Sequence, residues 1–229
     1  MLVNEMFAPT VQGEGINTGK VVGFIRLANC NLACSWCDTP YSWDWKRYDK
    51  AAETTEMDIE SVAQVVQSWN VPRVIITGGE PLMQQEDIVK LIALCADVKF
   101  DIETNGTITP LLTLANSVDT FNVSPKLSHS GDIRKKRIKD APLMHFANLA
   151  QDGKAQFKFV CETVADLDEV ELIAQDYDIP NSAIWIMPEG TDAPTLVFRL
   201  EKLADAVVAR RYNLTTRLHV LAWGHRRAV

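Results

Sequence analysis

The sequence predicts an α/β fold: an incomplete (partial) TIM-like barrel with mainly parallel strands. Three observations lead there. Short apolar runs of strand length alternate with longer segments of helical period. Several of those runs are too continuously apolar for a sheet wetted on one face. The chain has 229 residues, whereas a complete eight-unit barrel usually takes about 250.

In order along the chain, the expected strands are VVGFIRL (21–27), RVIIT (73–77), KFDIET (99–104), TFNVS (120–124), AQFKFVC (155–161), AIWIMP (183–188) and RLHVLAW (217–223). Between them, DIESVAQVVQSW places Ile59, Val62, Val65, Val66 and Trp69 on one helical face. EDIVKLIALCA, VADLDEVELIAQDY and TLVFRLEKLADAVVARRY have the same period. Strand, helix and strand in series imply right-handed crossovers and a parallel sheet, with an open doubly wound sheet as the alternative. With no repeat, low-complexity tract or long linker, a single domain over 1–229 is expected, its cysteine loop near 30–37. The basic run RKKRIK (134–139) reads as a solvated loop or helix face without a function.

Composition narrows the class. Hydrophobic residues make up 47% and charged residues 23%, as in a globular soluble protein. A net charge of −7 argues against a duplex nucleic-acid binder and leaves room for a small anion held by placed arginines. No apolar run approaches the roughly 20 residues of a membrane span. The opening MLVNEMFAPTVQGEG carries acid early and lacks the layout of a signal peptide. A cytoplasmic setting is therefore expected, where clustered thiols read as metal ligands or catalytic groups rather than disulfides. Cys95 and Cys161, apart from the cluster, read as small buried hydrophobes.

Ligands of parallel α/β folds gather at the carboxyl ends of the strands. Four motifs follow strands here: the cysteines after Leu27, GGEP after Thr77, TNGT after Glu103 and PK after Ser124. Cys30, Cys34 and Cys37 are spaced C-x3-C-x2-C. A structural zinc site needs a fourth ligand, and none of His129, His145, His219 and His225 falls at finger-like spacing; a zinc knob with a distant fourth ligand is the alternative. An electron-carrying cluster normally uses four thiolates. Three thiolates leave one iron of a [4Fe-4S] cluster open to the amino and carboxylate groups of S-adenosylmethionine. Asn31 and Ala33 let the loop curl so that backbone N–H groups face sulfur, and Trp36 can shield the cluster or pack an adenine. Gly78 and Gly79 permit close backbone approach, Glu80 complements an ammonium, and the fork of Arg26 suits a carboxylate.

The cysteine spacing, the aromatic before the third cysteine, and TGGEP resemble the radical S-adenosylmethionine superfamily. NEMFAPTVQGEG, FIRLANCNLACSWCDTPYSW, VIITGGEP, IETNGT, VSPK and HVLAWGHRRAV resemble the 7-carboxy-7-deazaguanine synthase family, over nearly the whole chain and without an insertion in the cluster loop. The resemblance implies a radical S-adenosylmethionine core and a lyase. Its reaction would be the ring contraction of 6-carboxy-5,6,7,8-tetrahydropterin, with loss of ammonia, in queuosine-type 7-deazapurine biosynthesis. Hydrogen would leave C6 and later return, regenerating S-adenosylmethionine. Cys30, Cys34 and Cys37 would bind the cluster, and Thr39 a Mg²⁺ ion shared with substrate oxygens. Val11, Gln12, Gly13, Arg26, Thr77 and the terminal carboxylate of Val229 would bind the pterin, with Glu14 on its N–H edge. Trp36, Cys37, Asp38, Gly79, Glu80, Ser124, Pro125 and Lys126 would hold S-adenosylmethionine. Glu103, ending a strand on the same rim, is a candidate for proton handling. An electron donor such as flavodoxin and a second copy in a homodimer are the implied partners, with no nucleic acid and no membrane. The rival readings are a glycyl-radical activating enzyme of the same superfamily and a zinc-stabilised binding module.

Overall fold

Nine strands hydrogen-bond into one open sheet in the computed structural model, which describes residues 1–224 and 226–229. They are β1 (Leu2–Val11), β2 (Val21–Leu27), β3 (Thr55–Glu56), β4 (Arg73–Gly78), β5 (Lys99–Thr104), β6 (Thr120–Val123), β7 (Ala155–Cys161), β8 (Ile184–Pro188) and β9 (Asn213–Leu214). The order is β3-β1-β2-β4-β5-β6-β7-β8-β9. From β2 onward neighbours pair in parallel, while β1 runs antiparallel to both β2 and β3. The two edge strands do not meet, so the barrel is partial.

Helices fill the crossovers: α1 (Lys50–Glu53), α2 (Ile59–Ser68), α3 (Gln85–Leu94), α4 (Leu112–Ser117), α5 (Arg134–Arg137), α6 (Asp140–Gln151), α7 (Asp166–Asp176), α8 (Ala193–Ala209) and α9 (Leu218–Trp223). The start of α2 is fixed by Asp58, whose carboxylate accepts from the Ser61 N–H at 2.7 Å. Its buried Val62 and Val66 are two of the five members of the expected apolar face.

Alternation along the strands sorts the interior from the helix-packed exterior. Ile25, Leu27, Val74, Ile76, Phe100, Ile102, Phe121, Val123, Phe157 and Phe159 join the helices in one core. Their neighbours in sequence, Arg26, Thr77, Glu103, Asn122, Ser124 and Lys158, line a cavity on the concave face. A closed barrel of this kind is filled by branched apolar side chains. Here the same positions carry polar groups, and the inside is a chamber.

The β1–β2 connection turns inward and forms part of the chamber's lining. Asn17 Nδ2 donates to Asp101 Oδ2 at 2.5 Å and Gln12 Nε2 to Glu103 Oε1 at 3.0 Å, both on β5. The Gly15 N–H donates to Thr215 Oγ1 at 3.2 Å, and the Gly13 carbonyl accepts from the Leu218 N–H at 2.9 Å. The loop thus spans the opening that the unpaired edges leave.

Several expectations are corrected. RLHVLAW is not a strand: Leu218–Trp223 is α9, since a short apolar run does not by itself separate the two periods. β1, β3 and β9 are additional, as are α4 and α6. In β1, Asn4, Glu5 and Pro9 interrupt the apolar pattern that marks the inner strands. The basic run is not wholly a solvated face. Arg137, 5% exposed, donates from Nη1 to the Lys126 carbonyl at 2.7 Å and pairs with Glu169 at 2.8 Å, pinning the segment after β6. Among the described residues no helix is long and apolar enough to cross a membrane.

Candidate active site

The chamber has a cavity volume of about 230 Å³ and opens to solvent on one side. Cys30, Cys34 and Cys37 stand in its wall. Their loop begins at Asn29, held at φ 74° and anchored by Trp45 Nε1, which donates to its side-chain oxygen at 3.0 Å. Three N–H donors face sulfur: the Leu32 backbone at 3.4 Å and Asn105 Nδ2 at 4.0 Å to Cys30 Sγ, and Trp43 Nε1 to Cys37 Sγ at 3.3 Å. From outside, Asp132 accepts from the Ala33 N–H at 2.8 Å. Burial pushes the Cys30 thiol up to about 12 and raises Cys34 as well, so a metal bound by these sulfurs would have to displace both protons.

Among the described residues, no three His, Cys, Asp or Glu side chains converge closely enough to hold one metal ion. All three thiols line the one chamber, and no fourth ligand joins them among the described residues. Three soft donors with sulfur-directed N–H groups fit an iron–sulfur cubane. His225 lies outside the described residues.

The GGEP turn presses against this loop. A Cβ on Gly78, whose φ is 140°, would lie 2.0 Å from the Leu27 carbonyl oxygen, and one on Gly79 2.0 Å from that of Asn29. Without side chains there, the Gly79 N–H reaches Leu27 O at 3.0 Å and the Glu80 N–H reaches Asn29 O at 2.8 Å. Glu80 departs from expectation. It is wholly buried and does not line the chamber, because its oxygens accept from the Leu82 N–H (3.0 Å), Thr104 Oγ1 (2.8 Å) and the Asn105 N–H (2.7 Å). Burial raises its pKa. Glu80 therefore ties TNGT to GGEP, and Asn105 Nδ2 carries the tie on to Asn31 Oδ1 at 2.8 Å. Pro125 is likewise buried behind the wall, while Ser124 and Lys126 line it. Lys126 Nζ donates to Ser124 Oγ at 3.0 Å and stands 5.6 Å from the Trp36 ring, which stacks on His129.

Val11, Gln12, Gly13, Glu14, Arg26, Trp36, Cys37, Asp38, Thr39, Thr77, Gly79, Glu103 and Val229 all border the same space. Arg26 is both a cavity residue and an ion-pair member, with Nε 2.6 Å from Glu5 Oε1. Tyr41 donates to that same oxygen at 3.2 Å. Arg227 lies 3.6 Å over the Tyr41 ring and pairs with Glu53 at 3.1 Å, which holds the segment ending at Val229 against the chamber.

Lys158, Arg217 and His219 border the chamber without having been singled out in the sequence. Lys158 and Arg217 both pair with Glu14, Arg217 from Nε at 2.9 Å. Burial alone would raise the Glu14 pKa, but the two cations outweigh it and hold the carboxyl ionised. Burial lowers the pKa of His219, favouring neutral imidazole. The signal for Lys158 was present in AQFKFVC, where Gln156 and Lys158 alternate with phenylalanines and so share the inner face.

His219 also explains Gly13: a Cβ there would fall 1.9 Å from its Nδ1. Gly13→Ala must displace the imidazole or the loop. We expect a loss of about 1–3 kcal/mol in stability, as for overpacking elsewhere, with a larger rise in KM for a ligand held by the β1–β2 loop than for one held beside the cysteines. Urea midpoints and steady-state kinetics check it, and wild-type values of both would refute the packing argument.

Comparison with known proteins places these features. Residues 24–148 match the family model of the Radical SAM superfamily. The chain is 38% identical to 7-carboxy-7-deazaguanine synthase of Pyrobaculum aerophilum over 98% of its length and 96% of that protein's. It is 33% identical to the enzyme of that name from Rhodopirellula baltica, covering 99% and 88%. Among solved structures it is similar to the crystal structure of QueE from Escherichia coli, with a TM-score of 0.70, 26% identity, and coverage of 95% and 94%. SuiB of Streptococcus suis bound to S-adenosylmethionine shares the fold at 16% identity and a TM-score of 0.56, over 82% of this chain and 47% of that one.

Proposed function

The chain belongs to the 7-carboxy-7-deazaguanine synthase family of the Radical SAM superfamily, and from that premise we propose that it contracts the ring of 6-carboxy-5,6,7,8-tetrahydropterin, with loss of ammonia, to give 7-carboxy-7-deazaguanine. One observation carries the reading. Three thiols and a set of buried charged groups suited to a carboxylated heterocycle border a single chamber.

When bound, the [4Fe-4S] cluster and S-adenosylmethionine supply a carbon-centred radical able to take hydrogen from C6 of the pterin. The residues of this chain do the rest. Cys30, Cys34 and Cys37 would hold the cluster. Trp36, Asp38, Gly79, Ser124 and Lys126 would hold S-adenosylmethionine, with Glu80 acting behind them as a positioning residue. Arg26, kept rigid by Glu5, would meet the pterin carboxylate through its remaining donors. Ionised Glu14 would accept from the pterin N–H edge. Gln12 is less free to do so, because its amide is committed to Glu103 and to the Glu14 N–H. Val11, Gly13, Thr77 and Val229 would shape the pocket around the ring. Thr39 would ligate a Mg²⁺ ion shared with substrate oxygens. Glu103 is the proposed proton-handling group, with neutral His219 across the same space. Enclosure by the β1–β2 loop excludes water while the radical exists. A place in queuosine-type 7-deazapurine biosynthesis, a cytoplasmic setting, a homodimer and a donor such as flavodoxin belong to the same reading.

The experiment is anaerobic turnover of carboxypterin deuterated at C6. Deuterium should appear in recovered S-adenosylmethionine as the deazaguanine acid forms. Product formation without that transfer would refute the proposed hydrogen abstraction.

A further inference from the structure

The guanidinium of Arg217 reaches three separate parts of the chamber wall. Nε donates to Glu14 Oε1 at 2.9 Å, on the β1–β2 loop. Nη2 donates to Asp38 Oδ2, one residue beyond the third cysteine. Nη1 donates to the Gly190 carbonyl at 2.9 Å, beyond β8. Arg217 itself is 8% exposed. These carboxylates are 179 and 203 residues away from it in sequence, and the one guanidinium brings the β1–β2 loop and the segment after the third cysteine together.

We infer that Arg217 is a positioning residue that couples occupancy of the pterin side of the chamber to occupancy of the S-adenosylmethionine side; this rests on the reaction proposed above. The planar fork makes the two contacts interdependent. A ligand that fixes Asp38 fixes the plane of the guanidinium, and with it the direction of Glu14. Lys158 holds the other oxygen of Glu14, so that carboxylate can be neither protonated easily nor turned away without leaving a buried cation unpaired. Glu103 and Arg26 lie near enough to act on the same group of charges. A ligand that draws on one carboxylate turns the fork away from its present plane, and the next ligand meets the wall so set. Coupling of this kind is reciprocal, so each ligand tightens the other by one common factor.

The test is calorimetric titration of the anaerobically reconstituted enzyme with S-adenosylmethionine, with and without saturating carboxypterin. Reductant is omitted, so no bond is cleaved and binding alone is read. For wild type, we expect the pterin to lower the S-adenosylmethionine Kd by about fivefold or more, the lower end of usual coupling. In Asp38→Asn, which cuts one arm with a near-isosteric side chain, the ratio should fall to within about twofold of one. Arg217→Lys, which keeps the charge but reaches one carboxylate at a time, should do the same. A wild-type ratio of one, or a ratio unchanged in Asp38→Asn, overturns the coupling even where wild type makes product. Wild type that makes no product from the pterin would instead overturn the underlying reaction, and the coupling with it.

Discussion

Cys34→Ala should abolish turnover while leaving the fold in place. Cys34 is partly exposed, and its flanking residues Ala33 and Ser35 are exposed, so the side chain is not part of the core. The anchors of the loop lie elsewhere, in the Asn29 turn, the Ala33–Asp132 bond and the Ser35 N–H to Ser130 carbonyl bond at 2.9 Å. Loss of one thiolate from three leaves two irons short of a protein ligand, and the cubane is no longer held. Reconstituted wild type should carry about four irons per chain and the variant far fewer, with matching circular dichroism. Full turnover by Cys34→Ala would remove the cluster from the mechanism; stoichiometric zinc in colourless wild-type protein would remove it altogether.

Glu14→Gln should be the most destabilising change in the chamber. Its side chain, 14% exposed, is the shared counter-ion of Lys158 and Arg217, whose side chains are 10% and 9% exposed. Removing one partner of a buried ion pair typically costs about 3–5 kcal/mol, because the charge left behind has lost its solvation. We expect a loss of that order in the urea-extrapolated stability, together with a large rise in KM for the pterin. The pH dependence has a definite sign. The folded pKa of Glu14 lies well below the 4.5 of an unfolded chain, so its stabilisation is complete above that value and is lost as pH falls toward the folded one. The gap between wild type and Glu14→Gln should hold steady down to about pH 5 and narrow below it. Adding Lys158→Met should recover part of the loss by removing the stranded cation. A gap independent of pH into strong acid would mean that Glu14 is not held ionised.

The parallel half of the fold was legible because its strands are dense in Val, Ile and Phe and bounded by turns, which is what burial on the helix side requires. β1 was not, since a strand at the antiparallel margin tolerates Asn4, Glu5 and Pro9 where an inner strand would not. α6 went unread because Pro142 sits in its first turn, where it is compatible with a helix but resembles a break. The cluster end of the site was readable from local spacing: three cysteines within eight positions and two glycines needed for backbone approach. The other end was legible only in part: VQGEG and Arg26 stood out in the sequence, but the groups they meet did not. Arg217 and His219 meet Glu14 and Gly13 only through the folded chain, and RLHVLAW shows no charge pattern of its own. Glu80 illustrates the converse. Its place in the motif was evident, yet its burial and two of its three donors depend on TNGT arriving from β5.

The seam between residues 13–17 and 213–218 also has a consequence for biogenesis. Those contacts join segments about two hundred positions apart, so no ribosome-bound intermediate can make them until the later segment has emerged. A nascent chain that has paired β2 through β8 still presents Cys30, Cys34 and Cys37 in a half-shell open on one side. The chamber is therefore among the last parts of the fold to be completed, when the segment after β8 arrives to close it.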